Sequence, residues 1–260
     1  MYDLPSYVWA LVLAGAIGLP AATSVLLYRG ARAAGVGRCA AAGAAGVSAG
    51  LLGGWLVITG ALARARVYDG PQGGLWFGVA FAGFLGALLL ATRIPLVSRV
   101  LAEPGTAARL VLPHTVRVVG VVFLLLMVQG VLPAAFALPA GLGDVAIGVA
   151  APFVARRLAR APLHAGAVAS AVRFNLLGLL DLAVAVILGV LLGLPGLFAL
   201  TPSTEPLRLL PLALIPTAAV PLAIALHVVS LLRLHAAVDR IGTSHVPTPG
   251  SLGSPQAAES

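Results

Sequence analysis

The chain has 260 residues, 60% of them hydrophobic and 9% charged, with a formal charge of +8. Soluble domains carry about 25% charged residues, so this chain has too little polar surface to face water all round. Its single cysteine, Cys39, excludes an intrachain disulfide. Its basic residues are all Arg, placed between apolar runs, which points to anionic lipid headgroups and not to nucleic acid.

Seven apolar runs of spanning length follow one another, at roughly 7–28, 40–63, 74–97, 115–132, 136–155, 170–194 and 209–234. They predict an all-α fold, a polytopic bundle of seven transmembrane helices over residues 1–235. A disordered cytoplasmic tail rich in Gly, Pro, Ser and Thr is expected over 236–260. Before the first run stands Asp3 and no basic residue; after it come Arg29, Arg32 and Arg38. A secretory signal has the opposite order, so a retained helix with its N-terminus outside is expected. In that orientation the cytoplasmic segments hold eleven of the 16 arginines, and the outside segments hold Arg64, Arg66 and Arg208. This is the asymmetry that orients membrane proteins.

Runs two and three carry small-residue ladders, Gly46–Gly50–Gly54 and Gly74–Gly78–Ala82–Gly86. Four-residue spacing stacks each ladder on one helix face and allows close backbone approach. Tight packing inside the bundle is the expected use; a homodimer seam is the alternative. Between runs four and five, LPAAFALP has no charge and is expected to dip into the outer interface. Run seven carries Pro211, Pro216 and Pro221, each of which removes a backbone donor. A bent helix with its freed carbonyls re-satisfied by neighbours is expected; a flexible gate is the alternative.

Asp144 and Asp181 fall near the middle of runs five and six, on consecutive antiparallel helices, and therefore at similar depth. Both lie on small-residue stripes, Ala140–Asp144–Gly148–Pro152 and Gly178–Asp181–Ala185–Gly189, the faces that meet other helices. An ionisable group at mid-bilayer is expensive and usually faces the bundle interior for a functional reason. Two close carboxyls titrate as a unit, the property that a proton- or cation-coupled carrier needs. In the structural alternative, each Asp bonds Asn175, Gln129 or a freed carbonyl, or is neutralised by Arg117 or Arg173. Those arginines are expected near the cytoplasmic face, about 10–15 Å below the midplane, with snorkelling to the interface as the easier fate. His227, in the cytoplasmic third of run seven, reads as a satisfied core histidine or a proton relay. His114 and His164 read as interfacial.

The candidate proton, cation or substrate site is thus Asp144, Asp181, Asn175, Arg117 and His227. No metal spacing, nucleophile elbow or phosphate-binding glycine loop occurs. No cofactor is expected, and an intramembrane hydrolase is the least supported class. A non-catalytic scaffold or partner subunit is the main alternative to a carrier. GLGDVAIGV (141–149) and GLLDLAVAV (178–186) share Gly, Leu, Asp, Ala and Val in register, which on antiparallel neighbours would make an inverted repeat.

The stretches RVVGVVFLLLMVQGVLPAAFALPAGLGDVAIGVAAPFVA, FNLLGLLDLAVAV and LPLALIPTAAVPLAIALHVVSL resemble a family of uncharacterised bacterial polytopic membrane proteins. The likeness covers most of 117–232 and carries Arg117, Asp144, Asn175, Asp181, the three prolines of run seven and His227. Phe174 departs from it, since Trp is usual there. The resemblance implies a multi-pass protein of the bacterial inner membrane and implies no activity.

Overall fold

The computed structural model describes residues 4–162, 164–194 and 202–243, with side chains up to 237. The described residues form helices and turns with no strand. Seven helices are long and apolar enough to cross a membrane: Ser6–Ala33 (α1), Arg38–Arg64 (α2), Gly73–Ala91 (α3), Thr106–Val128, Ala134–Arg160, Ala165–Leu191 and Ile215–Ala237. One end of the bundle carries the connections at 34–37, 92–105 and 161–162, flanked by most of the arginines. The other carries those at 65–72, 129–133, 192–194 and 202–214. We call these the arginine-rich and arginine-poor ends.

Several boundaries differ from the sequence expectation, and one difference matters for the site. The third span stops at Ala91 and is followed by a short helix, Pro95–Ala102 (α4), with Pro95 in its first turn. Pro is suited to that place because its missing N–H would be unpaired there anyway. Gly105 then takes a φ of 80°, a left-handed turn that an L side chain resists, and the chain re-enters a helix at Thr106. The fourth span therefore starts nine residues before the expected 115. It is built from an α segment, Thr106–Val111 (α5), a 3-10 stretch, Leu112–Gly120, and a second α segment, Val121–Val128 (α6).

The expected interfacial link after Pro133 is already helix: α7 runs from Ala134 to Arg160 and contains Pro139 and Pro152. Next come α8, Ala165–Leu191, and α9, Val220–Thr243. α9 extends past the expected end at 235, and the expected tail from 244 onward lies outside the described residues. Leading into α9 is a π turn, Ile215–Ala219. Pro221 has no N–H to give the carbonyl of Thr217, four residues back. The indole Nε1 of Trp55, on α2, donates to that carbonyl instead at 2.8 Å. Thr59 adds a hydroxyl bond to Thr217 Oγ1 at 2.8 Å, and Thr59 also bonds the buried Tyr68 hydroxyl at 2.7 Å. A neighbour thus satisfies the Thr217 carbonyl, whereas Pro211 lies in the turn before the helix and not within it as expected.

The fourth span and α9 are the most buried, whereas α2 and α3 lie at the edge. The glycine ladders do not pack inside the bundle as expected. A Cβ built on Gly46, Gly50, Gly54, Gly74, Gly78 or Gly86 meets nothing within 4 Å. The apolar interior lies elsewhere, with Val12, Phe123, Leu126 and Phe136 in one cluster and Leu19, Leu182, Leu222 and Leu226 in another.

Candidate functional site

The early start of the fourth span moves Arg117 to mid-depth. It lies eleven residues into a 23-residue span, roughly 17–20 Å from its start. The 3-10 stretch decides where its side chain goes. Three residues per turn place positions i, i+3 and i+6 on one line, so His114, Arg117 and Gly120 share a face. Arg117 is 7% exposed and turns into the bundle; it does not snorkel to the interface.

There it meets three partners through three nitrogens. Nε donates to Asp144 Oδ1 of α7 at 2.7 Å, and Nη2 donates to Asp181 Oδ2 of α8. Nη1 lies 3.1 Å from His227 Nε2 of α9. A guanidinium only donates, so His227 Nε2 must accept and its Nδ1 carries the proton. Nδ1 then donates to Asn175 Oδ1 at 2.9 Å. That fixes the Asn175 amide, whose Nδ2 donates to the Ala171 carbonyl at 2.8 Å and to Ser230 Oγ at 3.0 Å. A single chain of hydrogen bonds thus ties the fourth span to α7, α8 and α9. With both carboxylates ionised, the pairing of one guanidinium with two carboxylates leaves a formal charge of −1. One added proton makes the cluster neutral.

Glycines make the room. A Cβ on Gly143 would fall on the Asp181 carboxylate, and one on Gly178 would fall on the His227 ring. A Cβ on Gly120 would overlap Asp144, and one on Gly148 would press on the backbone of Val118. The small-residue stripes beside both aspartates therefore serve the cluster directly, by letting the helices close around it.

All five expected site residues come together here. His114 joins them from a place read as interfacial: it is fully buried, stacked on the His227 ring at 3.7 Å between centroids, and edge-on to Phe174. The signal for it was the three-residue recurrence of His114, Arg117 and Gly120 after Pro113, which only a 3-10 helix places on one face. Two other expected partners stay away, and His164, read as interfacial, lies apart from the cluster. Arg173 is exposed, and Gln129 bonds the Tyr7 hydroxyl at the arginine-poor end. His164 caps the start of α8, its Nδ1 accepting from the Gly166 N–H.

Two cavities adjoin the cluster. A small one of about 60 Å³ is lined by Arg117, Asp144 and apolar residues of α1 and the fourth span. A larger one of about 380 Å³ is lined by both Asp144 and Asp181 and reaches Thr204 and Arg208.

Residues 74–235 match a domain of unknown function, DUF8737. The chain belongs to that family. The matched region begins in α3 and takes in the whole polar cluster, the larger cavity and the prolines before α9; α1 and α2 lie outside it. No curated protein and no solved structure matches the chain.

Proposed function

We propose that this DUF8737 protein is a multi-pass carrier of the bacterial inner membrane, with its N-terminus outside and its C-terminus cytoplasmic. It moves a small solute coupled to protons or another cation, and its arginine-rich end meets anionic headgroups. Asp144 and Asp181 are the exchangeable carboxyl pair and Arg117 is their internal counter-ion. One observation carries the reading: both carboxylates touch Arg117 on one side and line a cavity of about 380 Å³ on the other. A proton or cation arriving from the cavity competes with Arg117 for the same oxygens. When it wins, the ties from the fourth span to α7 and α8 weaken, and the packing of these helices shifts. A ligand that binds one arrangement better than another shifts the population by that difference, which is how a midplane site drives alternating access.

Proton flux into proteoliposomes carrying a pH-sensitive dye tests this. Asp144→Asn and Asp181→Asn should each abolish coupled flux, and wild-type flux in both variants would remove the pair from the mechanism.

A second reading is favoured by the open glycine ladder of α2, Gly46–Gly50–Gly54: a partner subunit seated against another membrane protein. A photo-cross-linker at Gly50 should then capture one dominant heterologous partner in native membranes. Capture of lipid alone would dismiss it.

A further inference from the structure

The larger cavity has two charged ends. Asp144 and Asp181 stand at one, and Thr204 and Arg208 at the other. Phe77, Phe81, Phe123 and Phe136 contribute to the wall between them. Thr204 Oγ1 donates to the Gly189 carbonyl at 2.7 Å, which fixes the level of the Glu205–Arg208 turn against α8. Gly189 is eight residues from Asp181, about 12 Å along the helix.

At the deep end, acceptors outnumber donors. Arg117 engages one oxygen of each carboxylate. Asp144 Oδ2 and Asp181 Oδ1 have no hydrogen-bond partner among the described residues, and the two side chains keep 17% and 12% of their surface exposed. The guanidinium balances one carboxylate and leaves the other in surplus. At the far end the imbalance is reversed: Arg208 is half-buried and has no hydrogen bond or ion pair among the described residues. The cavity is therefore a dipolar slot, acidic inside and basic at its mouth, with phenyl rings between.

We propose that this slot binds a zwitterion with an ammonium group at Asp144 and Asp181, an anionic group at Arg208 and an apolar spacer between them. The proposal rests on the carrier reading for its site and names that site's ligand class. An ammonium supplies the N–H donors that the two free oxygens lack, and phenyl faces attract a cation. A simple amine leaves Arg208 unpaired. A simple anion meets the surplus carboxylate. A zwitterion whose charges sit a few atoms apart, such as an α-amino acid or an ethanolamine headgroup, does not reach from one end to the other.

Calorimetry on the full chain in detergent tests this with ε-aminocaproate, n-hexylammonium, caproate and glycine as probes. ε-Aminocaproate should bind at least about tenfold more tightly than the other three, the worth of one charge-assisted contact. Arg208→Gln should erase its advantage over n-hexylammonium and leave n-hexylammonium unchanged. Asp181→Asn should weaken both. Gly78→Phe should fill the slot and abolish binding with an unchanged melting temperature, because a Cβ there meets nothing within 4 Å. Equal affinity for ε-aminocaproate and n-hexylammonium, indifference to Arg208→Gln, or no binding above glycine each overturns the proposal. Zwitterion binding without coupled flux would sink the carrier reading and keep this one; carboxylate-dependent flux without zwitterion binding would do the reverse.

Discussion

Arg117 is costly where it stands, and its partners are what make the position tolerable. Taking a guanidinium and two carboxylates out of water carries a desolvation cost that their attraction repays only with good geometry. The asymmetry between breaking such a set and replacing it gives a prediction. Arg117→Gln leaves two buried carboxylates facing each other and should cost about 3–5 kcal/mol. Adding Asp144→Asn and Asp181→Asn removes the orphaned charges and should recover most of that loss. Melting temperatures in detergent, read by tryptophan fluorescence, check it. A triple variant as unstable as the single one would mean that the ion pairs do not explain the loss. The glycines allow a second test of opposite signs. Ala is a better helix former than Gly by about 1 kcal/mol. Gly50→Ala, with nothing near the new Cβ, should be neutral or stabilising. Gly178→Ala puts the same methyl on the His227 ring and should be destabilising. Equal effects at the two sites would show that the ring is not held as described.

Two irregular elements position these residues, and both arise from proline. Pro113, in the first turn of the 3-10 stretch, precedes the three-residue line of His114, Arg117 and Gly120. Pro216 stands in the first turn of the π segment, Pro221 follows it at the start of α9, and Trp55 satisfies the carbonyl of Thr217. Trp55→Phe keeps an aromatic ring to stack on Phe84, which now lies 4.9 Å away between centroids. It removes the N–H, so the buried carbonyl is left unpaired at about 1–3 kcal/mol. A melting temperature equal to the wild type would show that water or a backbone shift satisfies Thr217 without the indole. These elements also mark how far the sequence could be read. Apolar length alone located all seven helices that are long and apolar enough to cross a membrane, because each exceeds what a short buried helix needs. The depth of Asp144 and Asp181 followed from their places in the middle of runs five and six, and their inward faces from the spacing of small residues beside them. The depth of Arg117 did not, since Thr106 and Arg109 made the first turns of its span look like loop. His114 was misplaced for the same reason. The ladders on α2 and α3 show the other limit: four-residue spacing shows that a face is smooth, and is silent on what meets it.

At the scale of the whole molecule, the two ends of the bundle differ in charge, and the proposed orientation follows from that difference. The arginine-rich end holds Arg29, Arg32, Arg38, Arg93 and Arg99 among others, whereas Arg64, Arg66 and Arg208 mark the other. Cys39 tests the orientation without any engineering. It is the chain's single cysteine, it is exposed, and it sits in the first turn of α2 at the arginine-rich end. If that end is cytoplasmic, as the distribution of arginines implies, a membrane-impermeant maleimide should label Cys39 in inverted vesicles and leave it unmodified in intact spheroplasts. The reverse pattern would turn the molecule over. The residues around Asp144 and Asp181 would keep their geometry, but Arg208 and the mouth of the larger cavity would then face the cytoplasm. The labelling result therefore also decides which side of the membrane the Arg208 end of this cavity faces.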